Sequence, residues 1–267
     1  MNKKTLILIP HYNNLSGLKL SITSIKEDDN LSLDLLVVDD GSNKKKPRLY
    51  DLKDWYKLGD VFLLDNQQNR GIEYALNDGL KFALEHGYEY VARLDCGDIC
   101  YPNRFGKQLR YLAAHPDVGL LGAWCKRIDI VSGRISDFCP PVEHKDIVKQ
   151  LKMHNIFCHP LVIFNIKVLD LVGYYPTNYK YAEDFAYFSK IAKVVKTANL
   201  PEFLLDYEIN PAGISLSRRK IQLRSTIRVI RDNLEFSLCS FLGLLWYNML
   251  LVVPYNFAIN LKRLFKK

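Results

Sequence analysis

The chain has 267 residues, of which 48% are hydrophobic and 25% charged; this composition excludes a low-complexity protein and suits one globular α/β domain with an appendage. Its formal net charge is +8, with basic residues crowded into two clusters: Arg218, Arg219, Lys220, Arg224, Arg228 and Arg231, then Lys262, Arg263, Lys266 and Lys267. Such clusters suit nucleic acid or an anionic membrane surface, and the segment between them decides which.

Strand-like and helical segments alternate along the first hundred residues. Apolar, β-rich runs occupy residues 5–9, 33–38, 61–64 and 88–94. Helical spacing covers residues 15–27 and 49–56, and a third helix opens at Asn69-Arg70-Gly71 and stops at Gly87. The alternation predicts βαβ units, and therefore a parallel sheet flanked by helices.

The pattern continues with longer elements. A helix is predicted from Pro102 to about residue 115, and a strand over 118–130 with a turn at Ser132-Gly133. Residues 137–142 look irregular, and a helix at 146–153, a strand at 161–164 and a helix at 183–195 follow. Because no linker interrupts this part of the chain, residues 1–217 are predicted to form one domain.

Polar runs follow the first two strands directly. Pro10-His11-Tyr12-Asn13-Asn14 ends the first strand, and Asp39-Asp40-Gly41-Ser42 ends the second. Ligands of open α/β sheets bind beyond the carboxyl ends of the strands. Asp39 and Asp40 offer acceptors for a base N–H or ribose hydroxyls, and Tyr12 offers a ring for the base; the alternative is that Asp-Asp-Gly-Ser is only a turn.

Together these runs resemble the opening of the family-2 glycosyltransferases, the inverting nucleotide-sugar enzymes of the GT-A type. The resemblance extends from residue 5 to about residue 217. It implies a Rossmann-like, mostly parallel sheet flanked by helices, with nucleotide contacts at Pro10, Tyr12 and Asp40. The bacterial surface-polysaccharide enzymes of this family are the implied subgroup.

The segment Asn69-Arg70-Gly71 also matches the family pattern, which continues through Ala75, Asn77 and Gly79. A helix N-terminus with a basic side chain is a natural anion site, so Arg70 is a candidate for binding the donor phosphates. The alternative is an ordinary surface arginine at a helix start.

The fourth strand ends at Asp95-Cys96-Gly97-Asp98, which resembles the family's Asp-x-Asp cluster, often Asp-Ala-Asp-Asp. The resemblance implies Mg²⁺ or Mn²⁺ as cofactor, but glycine stands at the usual ligand position. Asp95 and Asp98 are the remaining candidate ligands, with Asp98 rotating in and Asp95 binding ribose or a metal-bound water as an alternative. A site that relies on basic residues instead of metal also stays open.

Two further positions match the family near the acceptor. Glu183-Asp184 resembles the Glu-Asp motif, which implies Asp184 as the catalytic base and Glu183 as its support, although acidic residues also favour a first helical turn by themselves. His159 matches a histidine near the acceptor and diphosphate, or is a structural histidine. Lys190 stands where many relatives carry arginine, keeping the charge without the bidentate fork.

Residues 218–267 are predicted to form a C-terminal appendage of amphipathic and apolar helices. Residues 236–261 carry no charged side chain, and Trp246, Tyr247 and Tyr255 are typical of membrane interfaces. Pro254, Asn248 and the basic flanks favour a helix or hairpin lying in the cytoplasmic leaflet over a single span. A lid on the catalytic domain or a dimer contact is the alternative.

These features predict an inverting glycosyltransferase that moves a sugar from a UDP- or dTDP-linked donor to a lipid-linked glycan of O-antigen, capsule or lipopolysaccharide. The chain runs from Met-Asn-Lys-Lys straight into a strand, so the enzyme is expected at the cytoplasmic face of the inner membrane, peripheral or monotopic. An inactive glycosyltransferase-like scaffold is one alternative. A sugar nucleotidylyltransferase would need a glycine- and arginine-rich loop after the first strand, and the uncharged segment disfavours a nucleic-acid partner.

Overall fold

The computed structural model describes residues 4–28, 31–210, 217–233 and 237–253. Within these residues a nine-stranded sheet has the order β3-β2-β1-β4-β8-β6-β9-β5, and β7 pairs with β6 at its side. The strands are β1 Thr5–His11, β2 Asp34–Asp39, β3 Val61–Asp65, β4 Tyr90–Arg93, β5 Ile99–Cys100, β6 Val118–Asp129, β7 Ile135–Phe138, β8 Ile163–Asn165 and β9 Lys196–Ile209.

Helices cover the sheet on both faces. They are α1 Leu15–Ser24, α2 Leu49–Trp55, α3 Ile72–Glu85, α4 Arg104–Ala114, α5 His144–Leu151, α6 Val168–Val172, α7 Glu183–Ile191, α8 Arg219–Asp232 and α9 Leu238–Val252, with a 3₁₀ turn at His159–Leu161. Strands β3, β2, β1 and β4 pair in parallel, and β8 joins β4 and β6 in antiparallel fashion. The expected α/β class with a mostly parallel sheet is confirmed.

The first strands are apolar along their whole length because both of their faces are covered. In β1, Leu6 and Leu8 belong to one hydrophobic cluster, while Ile7 and Ile9 belong to the cluster on the opposite face. All four side chains are fully buried. Successive side chains of β1 point to opposite faces of the sheet, so one hydrophobic core lies on each side of it, as in parallel α/β proteins.

Two strands differ from the elements predicted above. The longest strand, β9, pairs in parallel with β6 although Pro201 interrupts its apolar pattern. The pairing register slips between Ala123 and Trp124, opposite Pro201, and this bulge accommodates a residue that cannot donate to a ladder. β7 covers part of the stretch predicted to be irregular, and it pairs with β6 across the predicted turn at Ser132-Gly133.

The C-terminal helices pack on the rest of the fold. Val229 and Ile230 of α8 are buried in the cluster that also contains Phe188 of α7. Gly243 of α9 approaches the backbone of Met153 so closely that a Cβ would meet its Cα at 2.9 Å. Within the described ranges no helix is both long and apolar enough to span a membrane. Pro254, Tyr255 and the second basic cluster lie outside the described residues, as do residues 211–216.

Candidate active site

Asp39 is held by the polar run that follows β1. Its Oδ1 accepts hydrogen bonds from His11 Nδ1 at 2.7 Å and Ser42 Oγ at 2.5 Å, and all three side chains are buried. The Nε2 atom of His11 accepts the backbone N–H of Asn14 at 3.2 Å, which leaves Nδ1 as the protonated nitrogen. Asp39 therefore joins the ends of β1 and β2 and is fully enclosed by protein.

Asp40 joins the end of β2 to the start of α3. Its two oxygens accept the backbone N–H groups of Arg70 at 3.0 Å and Gly71 at 2.8 Å. Burial raises its pKa, and these two hydrogen bonds act against that rise. Each oxygen keeps a second lone pair, so the carboxylate still has acceptor capacity. Tyr12, 46% exposed, stands free at the same edge, and Pro10 is partly buried there.

The predicted anion residue Arg70 points to its own helix. Its guanidinium pairs with Asp78 and lies 5.4 Å from the centre of the Tyr74 ring. The rest of the motif has packing roles: Asn77 exchanges two hydrogen bonds with the backbone of Tyr175, at 2.8 and 2.9 Å. The Arg70 backbone thus contacts Asp40 at the end of β2, while its side chain is paired with Asp78.

Arg93 is a buried cation at the centre of the cleft. It is fully enclosed, donates to the Leu8 carbonyl at 2.7 Å and contacts Asp95 Oδ1 at 2.5 Å. Its Nε lies 3.5 Å from His159 Nε2, which also contacts the Tyr175 hydroxyl at 3.1 Å. Burial, with a contribution from Arg93, lowers the pKa of His159 well below its usual value, so the ring is a neutral acceptor.

The loop after β4 meets the loop after β1. Asn14 Nδ2 donates to the Cys96 carbonyl at 3.3 Å, and the Cys96 thiol contacts the Pro10 carbonyl at 3.5 Å. The Asp95 side chain remains partly accessible, with 29% exposed. The nucleotide edge and the acidic loop therefore form one continuous wall.

Glu183 and Asp184 occupy the first turn of α7. Asp184 Oδ2 accepts from Asn155 Nδ2 at 2.8 Å, and its Oδ1 accepts from the Phe185 N–H at 2.7 Å. Burial, together with the charge of Asp95, raises the pKa of Asp184 to about 6. Glu183 is 5% exposed, and burial and the charge of Asp184 raise its pKa well above the usual range. Within the pair, the pKa of Glu183 is therefore raised further above its usual range by the charge of Asp184, whose own pKa is about 6.

The negative charges of α7 and the β4 loop act on one another. Asp95 raises the pKa of both Glu183 and Asp184, and the pKa of the buried Tyr175 phenol is raised by burial and by all three carboxylates. Carboxylates more than 80 residues apart in the chain thus line one cleft at the carboxyl edge of the sheet.

A family model described as glycosyl transferase family 2 matches residues 6–161, which is more than half of the chain. The chain belongs to glycosyl transferase family 2. The amylovoran biosynthesis glycosyltransferase AmsE of Erwinia amylovora is 29% identical over 195 residues, covering 72% of this chain and 71% of AmsE. The family resemblance predicted from the motifs is confirmed, and with it the assignment as a transferase.

Solved structures agree with this family-2 fold. Staphylococcus aureus TarS 1–349 in complex with UDP-GlcNAc has a TM-score of 0.63 at 18% identity, covering 86% of this chain and 66% of that one. The mannosyltransferase PcManGT from Pyrobaculum calidifontis, in complex with GDP-Man and Mn²⁺, has a TM-score of 0.61 at 18% identity, covering 97% and 73%. At this identity the likeness shows the fold alone.

The residues around Asp95 offer few ligands for a divalent cation. In the part of the chain that the structure describes, no cluster of three or more His, Cys, Asp or Glu side chains forms a ready-made metal site. Asp98 is 2% exposed and its Oδ1 accepts the Glu208 N–H at 2.8 Å, so it would have to rotate to reach a cation. However, Mg²⁺ in nucleotide sites uses one or two carboxylates and takes its other oxygens from phosphates and water, and the accessible Asp95 beside Gly97 fits that requirement.

Several residues of this family-2 cleft carry no signal in the sequence. Arg93, Asn155 and Tyr175 contact Asp95, Asp184 and His159, respectively. Glu73 is buried at the start of α3, and its Oε2 has no hydrogen-bond partner within the described residues. Arg93 and Glu73 stand beside or within recognisable motifs, whereas Asn155 and Tyr175 reach the cleft through tertiary packing.

Proposed function

We propose that this glycosyltransferase moves one sugar, with inversion, from a nucleoside diphosphate sugar to a hydroxyl of a lipid-linked glycan in surface-polysaccharide synthesis. The observation that carries the proposal is Asp184, a partly buried carboxylate whose pKa lies near 6 in a cleft shared with Asp95. A general base works best when its pKa is near the operating pH.

In the proposed reaction, the donor binds along the edge from Tyr12 to Asp95. Tyr12 stacks on the base, Asp40 accepts from the base or ribose through its remaining lone pairs, and Pro10 and Asp39 shape the pocket. Arg70, turned away from Asp78, and His159 are proposed to contact the diphosphate. The enclosed Arg93 fixes the Asp95 carboxylate through its 2.5 Å contact, which pre-organises the site before substrate arrives.

Asp184 then takes the proton of the acceptor hydroxyl. The acceptor oxygen forms a bond to the anomeric carbon as the bond to the nucleoside diphosphate breaks on the opposite face, which inverts the configuration. The proton ends on Asp184, and the electron pair of the broken bond leaves with the diphosphate. Burial and the neighbouring charge of Asp184 raise the pKa of the enclosed Glu183, which disfavours a second negative charge beside the base.

We propose Mg²⁺ or Mn²⁺ as the cofactor, with Asp95 among its ligands. When bound, the cation neutralises the charge that develops on the leaving diphosphate. The cation of the Mn²⁺-containing PcManGT complex supports metal use on this fold. We propose a UDP- or dTDP-linked donor; the complex of TarS with UDP-GlcNAc and that of PcManGT with GDP-Man support a nucleoside diphosphate sugar in general.

A membrane-bound acceptor is supported by the C-terminal helices. Exposed apolar side chains follow one another along α9: Leu238, Phe241, Leu242, Leu245 and Val252. The exposed Arg224, Arg228 and Arg231 lie on α8. We propose that residues 218–267 rest on an anionic membrane surface at the cytoplasmic face, where apolar contacts and basic side chains act together.

The same helices reach the catalytic base. The pKa of Tyr247 on α9 is raised to about 12 by burial and by the charge of Asp184. The helix with the exposed apolar stripe is therefore adjacent to the proposed acceptor side of the cleft. A glycan attached to a membrane lipid would meet Asp184 from this direction.

The proposal is tested by screening nucleotides and then nucleotide sugars. UDP, dTDP and GDP are each added with Mn²⁺, and the protein's thermal unfolding is recorded; a bound nucleotide stabilises the native state and raises Tm. Sugars linked to the stabilising nucleotide are then assayed for release of free nucleotide with and without a lipid-linked saccharide. Stabilisation without turnover of any sugar would favour the inactive scaffold, and absence of stabilisation by all three nucleotides would overturn the proposed donor site.

A further inference from the structure

The carboxylate of Glu208 lies where a side chain at position 97 would lie. A Cβ built on Gly97 would come within 2.9 Å of Glu208 Oε2 and 3.0 Å of its Cδ. At this distance the Glu208 carboxylate occupies the space that a side chain at position 97 would need, and the flexible end of Glu208 would have to shift to admit one. Because position 97 is glycine, the acidic loop leaves room for the Glu208 carboxylate of β9.

Gly97 is fixed in this position by its backbone. Its φ is +111°, a conformation that side-chain-bearing residues rarely adopt. Its N–H donates to Ser21 Oγ at 2.9 Å and contacts the Gly17 carbonyl at 3.2 Å, both on α1. The close approach of Glu208 is therefore a property of an ordered loop held against a helix.

Glu208 is also positioned. It lies near the end of β9, and its N–H donates to Asp98 Oδ1 at 2.8 Å. Its Oε1 accepts from Asn210 Nδ2 at 2.9 Å, and within the described residues no other hydrogen bond to this carboxylate occurs. Glu208 Oε2, the atom nearest the Cβ built on Gly97, can therefore still accept a hydrogen bond or bind a cation.

In the part of the chain that the structure describes, Arg93 and Arg104 act on the acidic loop, and both are fully enclosed, where a diphosphate does not reach them. Asp95 lies two residues from Gly97, so its Cα is at most about 7 Å from that of Gly97 by chain geometry. The nearby Arg93 is fully enclosed and already contacts Asp95. Asp98, directly after Gly97, is 2% exposed, and its Oδ2 accepts no hydrogen bond within the described residues. A diphosphate that binds next to the carboxylates of Asp95 and Glu208 is repelled by both of them. A cation bound among these three anionic groups removes the repulsion.

We infer that Glu208 supplies the carboxylate ligand for Mg²⁺ or Mn²⁺ that glycine at position 97 does not, with Asp95 as the second protein ligand. Two carboxylates and the diphosphate oxygens then complete a hard-cation site. In this arrangement the ligand comes from β9 instead of the β4 loop, more than 100 residues away in the chain. The inference rests on the proposed donor site and adds a residue to it.

The test measures metal binding directly, without turnover. Mn²⁺ is titrated into the full-length protein in the presence of UDP, with dTDP and GDP in parallel, and free Mn²⁺ is read by electron paramagnetic resonance. Glu208→Gln should weaken Mn²⁺ binding at least about tenfold, and Glu208→Asp should retain part of it. Glu202→Gln is the matched control, because it removes the same charge from the same strand at an exposed pair with Lys107; it should change the Mn²⁺ affinity less than about twofold.

Nucleotide binding without metal distinguishes the role of Glu208 from the existence of the donor site. The Glu208→Gln protein should bind the nucleotide in the absence of Mn²⁺ as tightly as the unaltered protein does. Unchanged Mn²⁺ affinity in Glu208→Gln, with nucleotide binding intact, would overturn the role of Glu208 and leave the donor site standing. Failure of the unaltered protein to bind UDP, dTDP and GDP, with or without Mn²⁺, would overturn the donor site and this inference together.

Discussion

At the scale of single residues, the environment of Asp184 balances opposing effects. Burial and the negative charge of Asp95 raise its pKa to about 6, while hydrogen bonds from the Phe185 N–H and Asn155 lower it. Without these two hydrogen bonds the pKa of Asp184 would be higher, and the carboxylate would keep its proton up to a higher pH. Asn155 is thus expected to keep the base ionised at neutral pH, in addition to fixing its orientation.

This balance predicts the acidic limb of the activity profile. The base must be ionised, so kcat/KM should fall about tenfold per pH unit below an apparent pKa of about 6. Asn155→Ala removes a hydrogen bond to the charged form, so the pKa of Asp184 rises and the limb moves to higher pH. Sugar transfer measured from pH 5 to pH 9 checks this.

Asn165→Ala is the matched control for that profile. Asn165 Oδ1 accepts the Lys167 N–H at 2.9 Å, just as Asn155 Oδ1 accepts the Phe157 N–H at 3.1 Å. Asn165 lies at the end of β8, and within the described residues it makes no hydrogen bond to Asp184. Its profile should coincide with that of the unaltered enzyme. If the limb of Asn155→Ala stayed in place, the titrating base would be a group other than Asp184.

The sequence indicates some of these residues and conceals others for a physical reason. Asp184, Asp95 and Asp40 stand in short runs whose composition is unusual in itself. Asn155 and Glu208 stand in no such run. Their partners, Asp184 and Asp98, lie 29 and 110 residues away in the chain. Contacts between residues so far apart depend on how the chain packs, and a single sequence does not reveal them.

At the scale of elements, α3 links the nucleotide edge to the middle of the cleft. The two residues that precede it, Arg70 and Gly71, donate their N–H groups to Asp40, and Asn77 within the helix holds the Tyr175 backbone. Gly79 brings the helix against β1, where a Cβ would meet Leu8 Cδ1 at 2.3 Å. The small residue therefore sets the distance between helix and strand.

Gly79→Ala is expected to lower the free energy of unfolding. Alanine improves helix propensity by about 1 kcal/mol, but overpacking against Leu8 costs about 1–3 kcal/mol. Chemical denaturation measures the difference. Glu85→Ala, on the exposed side of the same helix, is the control and should be nearly neutral. A Gly79→Ala protein more stable than the unaltered chain would show that α3 is free to move away from β1.

Elements were predictable where one physical pattern dominated. The strands β1 and β2 are continuous apolar runs because helices cover both faces, and α3 shows regular helical spacing because one face is buried. The sequence of β9 does not predict a strand, because Pro201 interrupts it. The strand forms nevertheless, since a bulge in its pairing with β6 accommodates the proline. The short β5 contains two residues, too few for any periodicity.

At the scale of the whole molecule, the C-terminal helices connect the catalytic cleft to an exposed apolar surface. α8 buries Val229 and Ile230 in the main core, and α9 brings Tyr247 towards Asp184. The opposite side of α9 exposes Phe241 (58%) and Leu245 (54%). This arrangement combines the lid-like packing considered from the sequence with the proposed membrane contact.

The membrane contact predicts binding to anionic vesicles. The protein should float with vesicles of phosphatidylglycerol and phosphatidylethanolamine, and less so as salt rises, because basic side chains contribute. Phe241→Asp combined with Leu245→Asp should reduce the bound fraction severalfold. Val131→Asp, at an exposed apolar residue of the β6–β7 turn, is the control and should bind normally. Equal binding by all three proteins would rule out α9 as the contact.

The central claim is that Asp184 is the base of a donor site built around Asp95, and one variant tests it most directly. Asp184→Asn keeps the size of the side chain and removes the base, so sugar transfer should fall by about 10²–10⁴-fold, while the nucleotide Kd measured by calorimetry changes little. Asp170→Asn, an exposed aspartate on α6, should transfer at the unaltered rate. Transfer by Asp184→Asn at a rate near that of the unaltered enzyme, with the nucleotide still bound, would contradict the account.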